Sequence, residues 1–162
     1  MNEFDPSHRI FVSYIDKSRE YYLARGYGNP YRWAHHDDAP FAPLSKPLSQ
    51  SRVALITTAS LSREERNLKE VYAAPTVPPP SNLFTDHRSW HKEATHTRDV
   101  ESFLPIRRLE EFAADGRIGS PSPRFYGVPT DYSQRRTVDK YSPALLALCR
   151  ADAVDVALLF PL

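Results

Sequence analysis

The residues best equipped for chemistry share one segment. Thr85-Asp86-His87-Arg88-Ser89-Trp90-His91, followed by Thr95-His96-Thr97-Arg98-Asp99, gathers three imidazoles beside carboxylates and hydroxyls. Histidine titrates nearest neutral pH and is the commonest metal ligand, so such a segment can move protons or hold a divalent ion. His87 and His91 would share a face of a helix, but there is no His-Glu-x-x-His motif and Pro80 favours a loop. A metal site of His87, His91 and His96 is therefore kept only as the alternative to a hydrogen-bonded or exposed histidine cluster, and no metal is expected. His96 is the first choice for acid–base or substrate-orienting work, with Thr95 beside it. The competing reading has Thr95 and His96 simply bracing the loop before the next helix.

Other candidates surround that segment. Arg107 and Arg108 sit near the start of a predicted helix, where a basic side chain opposes the helix dipole and can instead bind an anion or carboxylate; a surface ion pair is the competing reading. Gly116-Arg117-Ile118-Gly119-Ser120 fits a helix stop and a tight turn whose amides, with Ser120, could contact an anion. Cys149, among Leu145, Leu146 and Leu148, reads as a buried structural thiol rather than a reactive one.

The elements that must position these groups follow from periodicity. Apolar residues recur at helical spacing from Arg9 to Arg25, with Ser7 as N-cap and Gly26 as stop. Tyr27 to Gln50 is rich in proline, aromatics and paired histidines and reads as an irregular wrapping arm. Arg52 to Ala59 is a continuous apolar, β-branched run, the pattern of a central strand covered on both faces. The charged stretch Arg63 to Val71 reads as a short helix or a lid, ended by Pro75 to Pro80. Leu104 to Asp115 is an amphipathic helix stopped by Gly116. Pro143 to Arg150 is a second helix, with Ser142 as N-cap and Pro143 in the first turn. Val154 to Phe160 reads as another buried strand. Strand, helices, strand in this order predict a parallel sheet with right-handed crossovers, a Rossmann/flavodoxin-like α/β domain over 51–162 preceded by a helix and Pro-rich arm over 1–50. Ligands of such sheets bind beyond the carboxyl ends of the strands, which brings Thr57, Thr58, Pro161 and Leu162 into the candidate site.

Composition removes several classes of function. Lys plus Arg total 21 and Asp plus Glu 20, so no broad field attracts nucleic acid or an anionic membrane. No apolar run approaches the roughly 18 residues of a membrane span, and the first residues lack a signal-peptide pattern, so the expected compartment is the cytoplasm. One cysteine can form neither an internal disulfide nor a Cys-x-x-Cys pair. Fifteen prolines against five glycines, clustered at 40–47, 75–80 and 121–129, read as stiff connections.

Taken in order, Arg52-Val53-Ala54-Leu55-Ile56-Thr57-Thr58-Ala59, Thr95-His96, Phe103-Leu104-Pro105-Ile106-Arg107-Arg108-Leu109, Asp115-Gly116-Arg117-Ile118-Gly119-Ser120 and Val154-Asp155-Val156-Ala157-Leu158-Leu159-Phe160-Pro161 resemble the selenoprotein B family of glycine, sarcosine, betaine and D-proline reductases. The resemblance runs from about residue 50 onward. It implies a reductase in which a selenocysteine or cysteine just beyond the last strand attacks a small amine or related substrate. That residue is expected directly after Leu162, through a selenocysteine codon read as termination or through loss of the redox half, so activity would need the absent residue or a partner. The family's Thr-His pair falls on Thr95 and His96. The loop over residues 60–94 departs from the family pattern, so substrate identity is not carried over.

The resemblance implies a small-molecule substrate, and a chain that ends on its own last strand is expected to leave an edge or pocket open, which predicts a homo-oligomer or a heteromeric reductase subunit. The competing function is a non-enzymatic binding or assembly subunit whose arm, Tyr27 to Leu48, wraps another chain. An in-frame TGA after the Leu162 codon, followed by a Cys- or selenocysteine-containing helix, distinguishes the two.

Overall fold

A computed structural model describes residues 14–28, 37–38, 42–63, 69–85, 97–131 and 133–162. The chain divides into two compact units, Met1–Pro40 and Phe41–Leu162. In the first, helix α1 spans Tyr14–Ala24. It ends as the sequence predicts: Gly26 takes φ +84°, and Gly26 and Tyr27 donate back to the carbonyls of Leu23 and Tyr22.

The second unit is a mixed α/β fold with a five-stranded, mostly parallel sheet: β1 (Arg52–Thr57), β2 (Tyr72–Pro75), β3 (Ser120–Pro121), β4 (Arg124–Gly127) and β5 (Val156–Phe160). β1 is central and buried on both faces, as its unbroken apolar run requires. β3 and β4 run parallel to one side of it and β5 parallel to the other, while β2 pairs antiparallel with β4. Between β3 and β4 the register against β1 slips by two residues, at Ser122 and Pro123. Pro121 and Pro123 lack N–H donors, so the ladder breaks where they fall. Thr76 covers the break, its hydroxyl 3.0 Å from the carbonyl oxygens of Ser122 and Pro123.

Two connections cover the sheet. Helix α2 (Ile106–Ala114) packs Ile106 and Leu109 on the face of β1 that carries Val53 and Leu55. A continuous helical stretch, α3 (Gln134–Arg136), a π-helical turn (Thr137–Tyr141) and α4 (Ser142–Ala151), places Leu145, Leu148 and Cys149 on the opposite face, with Ala54, Ile56 and Tyr126. Opposite faces are what same-handed crossovers running in opposite directions produce. Gly116, at φ +69°, ends α2 as expected. The cap of the second stretch differs from the sequence reading. Its N-cap is Ser133, whose hydroxyl accepts from the Arg136 N–H at 3.2 Å, and Ser142 lies inside the helix. Pro143 cannot donate to the preceding turn, which is wide at that point.

The last strand corrects a second expectation. β5 is not interior: among the described residues it pairs only with β1, and Leu158 and Leu159 are 41% and 66% exposed. Val156 and Phe160 do pack on the α2-face core. An apolar run reports how apolar a strand's two faces are and says nothing about its place across the sheet, so an edge strand with uncovered leucines reads as a central one. Among the described residues no helix is long and apolar enough to cross a membrane.

Candidate functional site at the carboxyl edge of the sheet

Parallel pairing makes β1, β4 and β5 end at the same edge, where the exit of β1 acts as a hub. Thr57 is buried; its hydroxyl accepts from the Ala59 N–H at 3.2 Å, and its carbonyl accepts from the Val128 N–H at 2.9 Å, just after β4. The Thr58 hydroxyl accepts from the Leu162 N–H at 2.9 Å, just after β5. The Ala59 carbonyl accepts from the Tyr72 hydroxyl at 2.7 Å. Ser60 bridges to Phe84 through a reciprocal pair of backbone bonds, both 2.9 Å. Four successive residues thus tie together the ends of β1, β4 and β5, the side chain that begins β2, and the segment leading to buried Thr85.

The predicted site residues divide accordingly. Thr57 and Thr58 stand together at this edge. Ser120 does not join them: it pairs with Arg52 at the amino end of β1, five residues or about 16 Å away. Arg107 and Arg108 lie in the first turn of α2, both exposed. The anion position there is already filled from within, because the Glu101 carboxylate accepts from the Arg107 N–H at 3.2 and 3.3 Å. Arg108 pairs with Glu111, the surface ion pair of the two readings. His87, His91, Thr95 and His96 lie outside the described residues. The described residues on either side of that segment, Thr85 and Thr97, are both buried. Among the described residues no group of three metal-ligating side chains occurs.

Sequence reasoning missed a charged constellation on the loop after β4. The Asp131 carboxylate accepts from Arg136 Nη2 at 2.7 Å, from the Tyr141 hydroxyl at 2.8 Å and from the Ser133 N–H at 2.9 Å. Arg136, then burial in the opposite sense and Tyr141, act on Asp131, and the net effect holds its carboxyl far below the ordinary range. The signal was present in Asp131-x-Ser133 and the following Gln-Arg-Arg, since an Asx turn feeding a serine N-cap marks a helix start.

A second network occupies the opposite edge. Asp152, at the end of α4, receives Arg124 in a bidentate pair at 2.8 and 3.0 Å and the Tyr126 hydroxyl at 2.6 Å, while its carbonyl accepts from Arg52 Nη1 at 2.6 Å. Asp155 binds the Arg52 N–H and Lys46 Nζ, both at 2.7 Å. Arg124 holds the Asp152 carboxyl below its ordinary value, and burial, reinforced by the hydrogen bond to Asp152, pushes the Tyr126 phenol up to about 12. Burial likewise raises the Cys149 thiol, so Cys149 packs as an apolar side chain and does not present a thiolate. These ionic pairs tie α4, β1 and β4 together at the amino end of the strands, whereas ligands of open α/β sheets bind beyond the carboxyl ends. Comparison with known proteins adds no relative: no protein-family model, curated protein or solved structure matches the chain.

Proposed function

We propose that residues 51–162 form the scaffold of a selenol- or thiol-dependent reductase of the glycine, sarcosine, betaine and D-proline reductase type, with a Rossmann/flavodoxin-like arrangement, acting on a small amine or related substrate. The observation that carries this reading is the shared edge: β1 and β5 run parallel and end together, and the residue two beyond β5 is held by the first residue after β1. A selenocysteine or cysteine following Leu162 would emerge there. In the proposed reaction the selenolate or thiolate attacks the carbon bearing nitrogen, the carbon–nitrogen bond breaks, and His96, with Thr95 beside it, protonates the leaving amine. An external dithiol then attacks the chalcogen, the carbon–chalcogen bond breaks with its electron pair and a proton going to carbon, and the second thiol of the donor displaces the chalcogen, which leaves the donor as a disulfide and the selenol or thiol free. Arg107 is the candidate carboxylate anchor, because Arg108 is paired with Glu111. The working form is a homo-oligomer or a subunit of a heteromeric reductase.

The test is to append a cysteine after Leu162 and measure amine release from glycine, sarcosine and betaine with a dithiol donor. Release from at least one of them, abolished by His96→Ala, is expected. No release from any of them, with the appended thiol alkylating normally, overturns the reading. One observation favours the non-enzymatic assembly reading instead, namely the outer edge of β5, which pairs with no other strand among the described residues, with exposed Leu158 and Leu159. A stable complex that forms through that edge without amine release would select it.

A further inference from the structure

The β1–β5 ladder stops at the pair Thr57–Phe160. Pro161 has no N–H with which to extend it. The backbone is nevertheless caught again one residue later. The Leu162 N–H donates to Thr58 Oγ1 at 2.9 Å, and the Thr58 hydroxyl donates to the Leu162 oxygen at 3.2 Å. A hydroxyl is both donor and acceptor, so one side chain takes over both functions of the missing ladder rung. Thr58 is β-branched, with restricted χ1, and its own backbone follows directly on the buried end of β1. The anchor is therefore short and stiff where a lysine at the same place would swing.

We propose that Thr58 is a positioning residue that fixes the direction in which the residue after Leu162 leaves the sheet, aiming it at the edge shared by β1, β4 and β5. This rests on the reading that the following residue carries the reactive selenium or sulfur. Without the hydroxyl, rotation about the Pro161 and Leu162 bonds sweeps the next Cα, about 3.8 Å further on, over several ångströms. A displacement of about 1 Å is enough to lower a reaction rate roughly a hundredfold. Thr57, by contrast, turns its hydroxyl back onto the Ala59 N–H and shapes the β1 exit alone.

Two variants separate positioning from structure. Thr58→Val keeps the shape and removes the hydroxyl, whereas Thr58→Ser keeps the hydroxyl. In the chain as it stands, Thr58→Val should speed hydrogen exchange of the Leu162 amide about tenfold while leaving the Leu55 and Ile56 amides unchanged, and Thr58→Ser should stay within about threefold of the parent. With a cysteine appended after Leu162, the pH profiles of thiol alkylation should coincide for the parent and Thr58→Ser and differ for Thr58→Val. Unchanged Leu162 exchange in Thr58→Val, or three coincident alkylation profiles, overturns the proposal. Failure of amine release with the exchange and alkylation differences intact would remove the reductase reading and leave the positioning role of Thr58 standing.

Discussion

The ring of Tyr72 lies across Gly127: a Cβ on Gly127 would stand 1.8 Å from Tyr72 Cε1, and the same ring carries the hydroxyl that holds the Ala59 carbonyl. Tyr72 and Gly127 are direct cross-strand partners, so the glycine leaves the space that the tyrosine fills on its way to the β1 exit. Gly127→Ala should destabilise the protein by about 1–3 kcal/mol in urea unfolding. Adding Tyr72→Ala should give less than the sum of the two single effects, which a double-mutant cycle measures. Gly28→Ala, with open space around it, should be near neutral.

Tyr126 makes stability depend on alkaline pH. Its phenol is pushed up to about 12 in the folded state, against about 10 when exposed. The neutral form is the one folding favours, so this contribution is complete below pH about 10 and is lost as pH rises from 10 through 12. Tyr126→Phe should lose roughly 0.5–1.5 kcal/mol at neutral pH with the hydrogen bond to Asp152. The difference from the parent should shrink across that alkaline window, read by denaturant unfolding at a series of pH values. A gap that stays constant to pH about 12 would show that Tyr126 is not the titrating group.

Asp131 acts at the other end of the scale. Its carboxyl is held far below the ordinary range by Arg136 and Tyr141, so its contribution is present above the unfolded value of about 3.9 and falls away as pH drops below it. Asp131→Asn should be less stable than the parent at neutral pH, with the two unfolding curves converging in acid. Because the Tyr141 hydroxyl also binds Asp131, Tyr141→Phe should have a smaller effect of the same sign.

Ala153 occupies the turn between α4 and β5 at φ +52°, with the Val154 and Ala153 N–H groups donating back to the carbonyls of Cys149 and Arg150. This is a helix stop built on a residue with a Cβ, which disfavours the left-handed region by roughly 1–2 kcal/mol. Ala153→Gly should therefore raise the melting temperature by about 2–4 °C, after the entropy that glycine gives back to the unfolded chain. An unchanged or lower melting temperature would contradict the strain read from that angle.

The uncovered strand makes its own prediction. Val156 to Leu162 contains no charged side chain, its one proline follows the ladder, and no described strand pairs with its outer edge, so β5 lacks the charge and proline that guard against edge-to-edge pairing. Leu159→Lys should change monomer stability by no more than about 0.5 kcal/mol while reducing concentration-dependent association in sedimentation.

Much of the scaffold was legible because burial writes itself into composition. β1, α2 and the Gly26 and Gly116 stops followed from an apolar run, a helical stripe and residues that tolerate positive φ. β3 and β4 were hidden because Pro121 and Pro123 made the segment read as a connection, although Phe125 and Tyr126 are among the most buried side chains. The position of β5 was hidden because strand order across a sheet is a long-range property that no local pattern encodes. At the site, Thr57 and Thr58 were found through the general rule for parallel strands. Asp131, Arg136 and Tyr141 were missed because their meeting depends on an Asx turn and a widened helical turn, both of which act over ten residues of chain.

The sheet's two rims are held by unrelated sets of side chains, Arg52, Arg124 and Asp152 on one and Thr57, Thr58 and Asp131 on the other, separated by the length of β1. At more than about 10 Å with no shared partner, changes on one rim combine additively with changes on the other. The cost of a substitution at one rim therefore does not depend on what has been changed at the other, so stability lost on one side can be restored from the far side of the sheet.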